Sequence, residues 1–376
     1  MARLWRWRYL NRSLRKPRLA WAGVPLLSMV HTSKALRKAG YDSITVASDR
    51  YPTANDSEFD FFVPPRVRSR YPINAFLTLL RGSWIFCRIL FERDVLHGFF
   101  NGGILGRTPL ADWEYWIWKV SGGDLILMPY GSDGFVYREL PDTDWAIALR
   151  ETYPRTDKDD ERVRKRIKRF TTLADVVVGC IVHNVCLPRV DVLTVVWYPA
   201  DLDVAVSLPT ISGPLKIAHA ANHGALKGTQ SLRQAVRELQ EDGESIELKV
   251  IESGSHREVL AAFREADVVV DQLLFGYALA ALEGMSLGKP VISGISGDAM
   301  YQPFREQSYL DYAPIIPATQ DTIKGVLQEL LKCREDLPEL GQKSRQFVET
   351  YHSASAAVDF FSGIYDGVLS APRVSR

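Results

Sequence analysis

The residues best equipped for chemistry lie in the second half of the chain, in loops that follow short apolar runs. After the run at 215–219 comes His219-Ala-Ala-Asn222-His223-Gly-Ala-Leu-Lys227-Gly228-Thr, and a helical pattern through Leu232 follows. A lysine there can meet a diphosphate as a point charge, and Gly228 lets the backbone come close. The bland alternative is a surface Lys-Gly pair at a helix start. After 267–271 comes Asp271-Gln272-Leu-Leu-Phe275-Gly276-Tyr277, then an apolar helix at 278–287 in which Glu283 is the one carboxylate. An acid among Ala280, Leu282 and Met285 is costly to bury unless it is hydrogen-bonded. Two ribose hydroxyls would supply such bonds; the alternative is a glutamate turned to solvent. Backbone N–H groups near Gly276, at the start of that helix, can stabilise charge developing on a leaving diphosphate. Nothing marks a nucleophile, and no Asp-x-Asp at a strand end marks a metal site.

The first half carries a second, smaller set. Gly23 stands in the first strand-to-helix loop, His97-Gly98 and Gly102-Gly103 follow another strand, and Pro129-Tyr130-Gly131-Ser132-Asp133 follows a third. Tyr130, Gly131, Ser132 and Asp133 are expected to line a cleft, Asp133 helping to position an acceptor. The alternative is a turn in which Asp133 caps the next helix.

Elements that alternate between strand and helix must position these groups. Short apolar strands are expected at 19–22, 44–47, 95–100, 124–128, 176–181 and 192–197, with helix-length segments between several of them. A second set follows at 215–219, 246–251, 267–271 and 290–295. Such alternation implies α/β architecture with parallel sheets covered on both faces. Ligands then sit beyond the carboxyl ends of the strands, where helix N-termini offer unpaired N–H groups to anions. Pro199 to Pro214 holds three prolines and little periodicity and reads as a linker. The expected organisation is a tail at 1–18, a domain at 19–200, a linker at 201–214, a second domain at 215–345 and closing helices at 346–376.

Composition narrows the field. The chain of 376 residues exceeds the size at which one core stops growing, so two domains are expected. With 46 basic and 45 acidic residues, nothing in the balance points to nucleic acid. Cys87, Cys180, Cys186 and Cys333 lack metal-ligand spacing and fit a reduced, cytoplasmic setting. The apolar stretch at 73–91, interrupted by Arg81 and Arg88, is expected to be a buried helix. Residues 1–18 hold seven basic residues, no acidic one, and Trp5, Trp7 and Tyr9. That mixture suits an anionic membrane surface, each basic residue contributing about 1 kcal/mol; the alternative is a solvated tail.

The run from 216 to 294 resembles the nucleotide-sugar-binding half of family 4 glycosyltransferases. In that family a Lys-Gly pair opens the first helix of the donor domain, matched here by Lys227-Gly228. A Glu-x7-Glu helix followed by Ala-Met-Ala-x-Gly-x-Pro-Val-Ile lies over the nucleotide, matched here by Glu283-Gly-Met-Ser-Leu-Gly288-Lys289-Pro290-Val-Ile. The resemblance implies the GT-B fold, two Rossmann-like doubly wound domains facing each other across a cleft, with the C-terminal helices crossing back to the first. It implies retaining transfer of a hexosyl group from a nucleoside diphosphate sugar to a hydroxyl acceptor. The acceptor would be a glycan or a lipid-linked molecule, in synthesis of cell-surface polysaccharide, glycolipid or glycoconjugate. Lys227 would bind the diphosphate and Glu283 the ribose. His219, Asn222, His223, Gly228, Asp271, Gln272, Gly276 and Tyr277 would complete the donor site. Metal independence and a location on the inner face of the membrane are also expected. Two departures stand out. Phe275 occupies the place of the family's first glutamate, and Tyr130 that of a histidine facing the sugar. They motivate a second reading, a catalytically degenerate GT-B protein that binds a nucleotide or a protein partner without turnover. A nucleotide-sugar epimerase of similar fold is disfavoured by the Lys-Gly and Glu-Gly-Met-Ser arrangement.

Overall fold

The computed structural model describes residues 15–50, 56–64, 73–181, 183–221, 224–295 and 301–370. Asn222, His223 and residues 1–14 of the basic tail lie outside the described residues.

The first half runs β1 (Leu19–Gly23), α1 (Leu27–Lys38), β2 (Ser43–Ala47), β3 (Phe61–Phe62), α2 (Ile73–Glu92), β4 (Val95–Gly98), α3 (Glu114–Val120), β5 (Asp124–Leu127), α4 (Asp144–Thr152), α5 (Asp157–Leu173), β6 (Val176–Gly179) and β7 (Val192–Leu193). Among the described residues its seven strands pair in the order β3-β2-β1-β4-β5-β6-β7, all of them parallel. Every residue of β1, Leu-Ala-Trp-Ala-Gly, is buried, the continuous apolar run required of a strand covered on both faces. The run at 192–197 pairs as a strand only at Val192–Leu193. Beyond it Val195 and Trp197 enter the cores as coil.

The second half runs β8 (Leu215–Ala220), α6 (Gly224–Lys227), α7 (Thr229–Glu241), β9 (Ile246–Ile251), α8 (His256–Glu265), β10 (Val268–Val270), α9 (Leu279–Ser286), β11 (Val291–Ser293), α10 (Gln302–Gln307), β12 (Ile315–Pro317), α11 (Ile323–Lys332), α12 (Leu337–Tyr351) and α13 (Ala354–Ser370). Its five described strands pair in the order β12-β11-β10-β8-β9, again parallel. Chain order reverses direction between β1 and β4 in the first sheet and between β8 and β10 in the second. Those switch points open crevices at the strand ends that carry the Gly23, Lys227 and Asp271 loops.

The helices segregate by face. Met29 and Leu36 of α1 share a core with Phe361, Ile364 and Tyr365 of α13 and with Trp21, so α13 packs on the first sheet. Ile85, Phe86 and Ile89 of α2, Tyr115 and Trp118 of α3 and Phe170 of α5 occupy the other face. The expectation of a buried helix at 73–91 is corrected here: α2 buries Gly82, Ile85, Phe86 and Ile89 but leaves Phe76 59% and Trp84 60% exposed. Apolar residues on every side of a helix do not bury it when the sheet offers only one surface.

Candidate functional site

In the second half, the loops after β8 and β10 meet through an ion pair. Lys227, the last residue of α6, places Nζ 3.2 Å from Asp271 Oδ1. Asp271 is fully buried, and its other oxygen accepts the Ala278 N–H at 2.6 Å, capping α9. The Lys227 side chain keeps 21% of its surface exposed, so the ammonium faces the crevice while its counter-ion holds it in place. Leu273 N–H donates to the Lys227 carbonyl, tying the two loops together a second time.

Glu283 stands one turn into α9. Its Oε1 lies 2.8 Å from Nε2 of His256, a residue that sequence reasoning did not single out. His256 opens α8 behind a Ser255–Glu258 capping box, which fixes the helix start. The Glu283 bond raises His256 above the ordinary imidazole value. On α1 of the first half, His31 is shifted as well. Burial and the Lys34 charge lower it, while Asp201, His256 and Glu58 also act on it. The one hydrogen-bonding partner shown for the Glu283 side chain among the described residues is thus His256, on the neighbouring helix. The signal that could have revealed His256 was its place inside a Ser-x-x-Glu cap, next to Ser255, shortly after a strand.

Several expected donor residues serve the protein interior instead. His219 is completely buried, with Nδ1 2.8 Å from the Val270 carbonyl and Nε2 2.9 Å from the Thr229 hydroxyl. Burial depresses it to about 4, so the neutral ring donates through Nδ1 and accepts at Nε2. Gln272 donates to the Phe275 carbonyl at 2.6 Å. The Gly276 N–H, expected to face a leaving group, donates to the Tyr301 hydroxyl at 2.8 Å. Tyr277 is buried, its hydroxyl 3.1 Å from His352 Nε2 behind the loop. Strand-end backbone in a parallel sheet must be satisfied somewhere, and here core side chains do it.

In the first half, Asp133 is a buried staple. Its carboxylate accepts backbone N–H groups of Phe100 at 3.0 Å and of Tyr130 and Gly131 at 3.1 Å. Burial pushes it up to about 7 against these three bonds. Asp133 thus joins the loop after β4 to the loop after β5 and shapes the wall rather than projecting from it. The Tyr130 hydroxyl accepts from the Asn101 amide at 2.9 Å. Gly131 has open space where a side chain would stand, and the Ser132 carbonyl accepts from Arg155. Gly23 has φ +148°, and a Cβ there would overlap the Phe99 ring, so only glycine fits beneath that loop. His97 stacks on Trp21 at 3.8 Å and bonds the Tyr365 hydroxyl at 3.0 Å, which anchors α13.

The two halves touch through aromatic groups at one end of the crevice. Phe275 lies 6.0 Å from Trp145 of α4, which packs 5.6 Å from Phe135, which stacks on His183 at 4.5 Å. Beside them a Cβ on Gly276 would come within 2.8 Å of Ile181. Phe275 faces Trp145, a contact invisible to the sequence.

No family model matches the sequence, and no curated protein matches it. Solved structures do match over almost the whole chain. A sucrose-phosphate synthase from Thermosynechococcus elongatus aligns with TM-score 0.61 at 13% identity, over 95% of this chain and 100% of its own. Anabaena HepE in complex with UDP-glucose aligns with TM-score 0.58 at 11% identity, over 94% and 100%. Together with the two parallel sheets, these matches decide the architecture. The chain has the GT-B fold. A putative UDP-N-acetylglucosamine 2-epimerase from Listeria monocytogenes also aligns, with TM-score 0.54 at 14% identity over 96% and 98%, so GT-B architecture alone leaves the reaction to be argued from the site.

Proposed function

We propose that the chain is a glycosyltransferase that moves a sugar from a nucleoside diphosphate sugar to a hydroxyl acceptor. The observation that carries the reading is the placement of Lys227 after β8 and of Glu283 on the helix that follows the adjacent strand β10, a cation held by Asp271 and a nearly buried carboxylate at neighbouring strand ends. A nucleoside diphosphate needs both, the cation for its phosphates and the carboxylate for its ribose hydroxyls. HepE, with the same fold, is solved with UDP and with UDP-glucose, which supports the donor class.

In the proposed reaction the bond between the anomeric carbon and the diphosphate oxygen breaks. A bond from the acceptor oxygen to the same carbon forms, and the acceptor proton leaves to the departing phosphate. Charge grows on the diphosphate, and Lys227 stabilises it without a metal ion. Transfer with retention, a hexosyl donor and family 4 membership rest on the sequence resemblance. So does a glycan or lipid-linked acceptor in polysaccharide or glycoconjugate synthesis; a cytoplasmic setting rests on the scattered cysteines, and a place at the inner face of a membrane on the basic, aromatic residues 1–18. The domain limits proposed are 19–200 and 215–345, joined by 201–214, with 346–376 closing on the first.

One observation favours a second reading, a degenerate binder: Phe275 closes on Trp145 where the resembled family has a sugar-contacting glutamate. A panel of UDP, GDP, ADP, CMP and dTDP, followed by thermal shift and by release of free nucleotide with an acceptor, separates the two. Selective binding with turnover supports the transferase. Binding without turnover supports the degenerate reading, and binding of none in a folded protein removes both donor-site assignments.

A further inference from the structure

We propose that the outer face of α2, flanked by α3 and α5, is a docking surface for an anionic lipid bilayer. This goes beyond the donor site and does not depend on it. Ile73, Phe76, Leu77, Leu80, Trp84 and Phe91 are all at least 40% exposed. Leu77, Trp84 and Phe91 recur every seven residues, as do Ile73 and Leu80, so they form a stripe along the helix. At about 1.5 Å per residue the stripe is about 27 Å long. With about 150–250 Å² for an aromatic side chain, Phe76, Trp84 and Phe91 alone expose roughly 300 Å², the size of the largest apolar patch on an ordinary monomer.

The inner face of α2 carries Ile85, Phe86 and Ile89, buried against the sheet. The helix therefore lies flat on the domain, and its composition, sufficient by length for a membrane span, is used along a surface. Neighbouring elements extend the stripe. Trp113 and Trp116, 53% and 46% exposed, pack edge to face at the start of α3. Indole rings prefer the headgroup layer.

Charge selects the occupant. Exposed Arg81 and Arg88 interrupt the stripe, Arg88 paired with Glu92 at 2.9 Å, and α2 holds no other acid. Next to Trp113, α5 presents Arg-Val-Arg-Lys-Arg-Ile-Lys-Arg at 162–169. Arg162, Arg164, Lys165 and Arg166 have acidic partners, whereas Arg169 lies over the Trp113 ring at 5.2 Å. Among the described residues Lys168 forms no salt bridge. A groove of about 580 Å³ runs along this helix, and five of its eight lining residues are basic. The chain also enters the fold at this end of α2, where Arg15 and Arg18 pair with Asp94. A protein partner would need acid and hydrogen-bonding groups here; a bilayer of anionic lipid needs only the apolar stripe and its basic margin.

The test is flotation of the full chain with phosphatidylcholine vesicles, with and without phosphatidylglycerol. It compares the wild type, deletion of residues 1–14, and Phe76→Ser with Leu80→Ser and Trp84→Ser. All three positions are exposed, and melting temperature and nucleotide binding verify that the variant folds. We expect anionic vesicles to bind the wild type and the triple variant to partition at least about tenfold less. A nitroxide on exposed Cys87, in a Cys333→Ser background, gives a readout without removing the stripe: it should become inaccessible to a polar relaxant on binding. Unchanged partition of the triple variant, loss of binding on tail deletion alone, or a nitroxide that stays in water overturns the proposal. So does a wild-type dimer that the triple variant dissociates, since the stripe would then join two copies of the chain.

Discussion

Removing the Glu283 carboxylate should abolish most nucleotide affinity while leaving the fold intact. Without ligand, Glu283 pairs with His256 at 2.8 Å, and the His256 side chain is 52% exposed. Such a half-exposed pair, discounted for solvent screening, contributes about 0–1 kcal/mol. With nucleotide bound, two ribose hydroxyls would replace His256, each hydrogen bond to a charged acceptor contributing about 1.5–3 kcal/mol. Glu283→Ala should therefore lose ~2 kcal/mol or more, at least about 30-fold in Kd. Proton linkage gives an independent signature. His256 is raised above 6.5 by Glu283, so the pair is complete below pH 6.5 and is lost as pH rises through the raised value. A nucleotide competing for Glu283 should thus bind more tightly above that value. His256→Ala should remove the pH dependence and change Kd by no more than about fivefold. Isothermal calorimetry with the preferred nucleoside diphosphate, from pH ~6 to ~9, reads both effects. Unchanged affinity of Glu283→Ala, or affinity that weakens as pH rises, would refute the reasoning.

Lys227→Ala should weaken diphosphate binding and lower stability by ~1–3 kcal/mol, because buried Asp271 loses its counter-ion; adding Asp271→Asn should restore the melting temperature but not the binding. Phe275→Ala should cost about 1–2 kcal/mol by removing the ring that faces Trp145, read as a shifted denaturant midpoint, with Phe275→Leu intermediate; an unshifted midpoint for Phe275→Ala would mean that the halves do not close on this contact. Gly23→Ala should destabilise by at least about 2 kcal/mol, since its Cβ meets the Phe99 ring in a backbone conformation that alanine disfavours. Activity, if Lys227 supplies the needed charge, should survive exhaustive treatment with EDTA; its loss and recovery with a divalent ion would show that charge on the diphosphate is neutralised differently.

Local pattern made much of the fold legible. Continuous apolar runs such as Leu19–Gly23 and Val176–Gly179 read as strands buried on both faces, and the sheet buries every residue of both. The dense mixed-charge stretch from Arg155 to Arg169 reads most simply as a solvated helix face, and a helix forms there with Thr156 as its cap. Lys227 and Glu283 were visible because a lysine at a loop end and a lone acid among alanines violate the surrounding pattern. His256 was not, because its meaning depends on a helix packed beside its own. His219 and Tyr277 looked available in the sequence and are core residues, because strand-end carbonyls and a returning helix supply partners that lie far along the chain.

From the sequence alone follow the alternation of strands and helices, most of the strands though not β3 or β12, the two halves, the loops that bear polar groups and the absence of an acid along most of α2. These are set by neighbours within a few residues, where periodicity and composition act. The tertiary structure alone decided that Lys227 is held by Asp271, that Phe275 faces Trp145 across the halves and that one side of α2 remains uncovered. Each of these depends on contacts between residues far apart in the chain, whose pairing only the packed sheets determine.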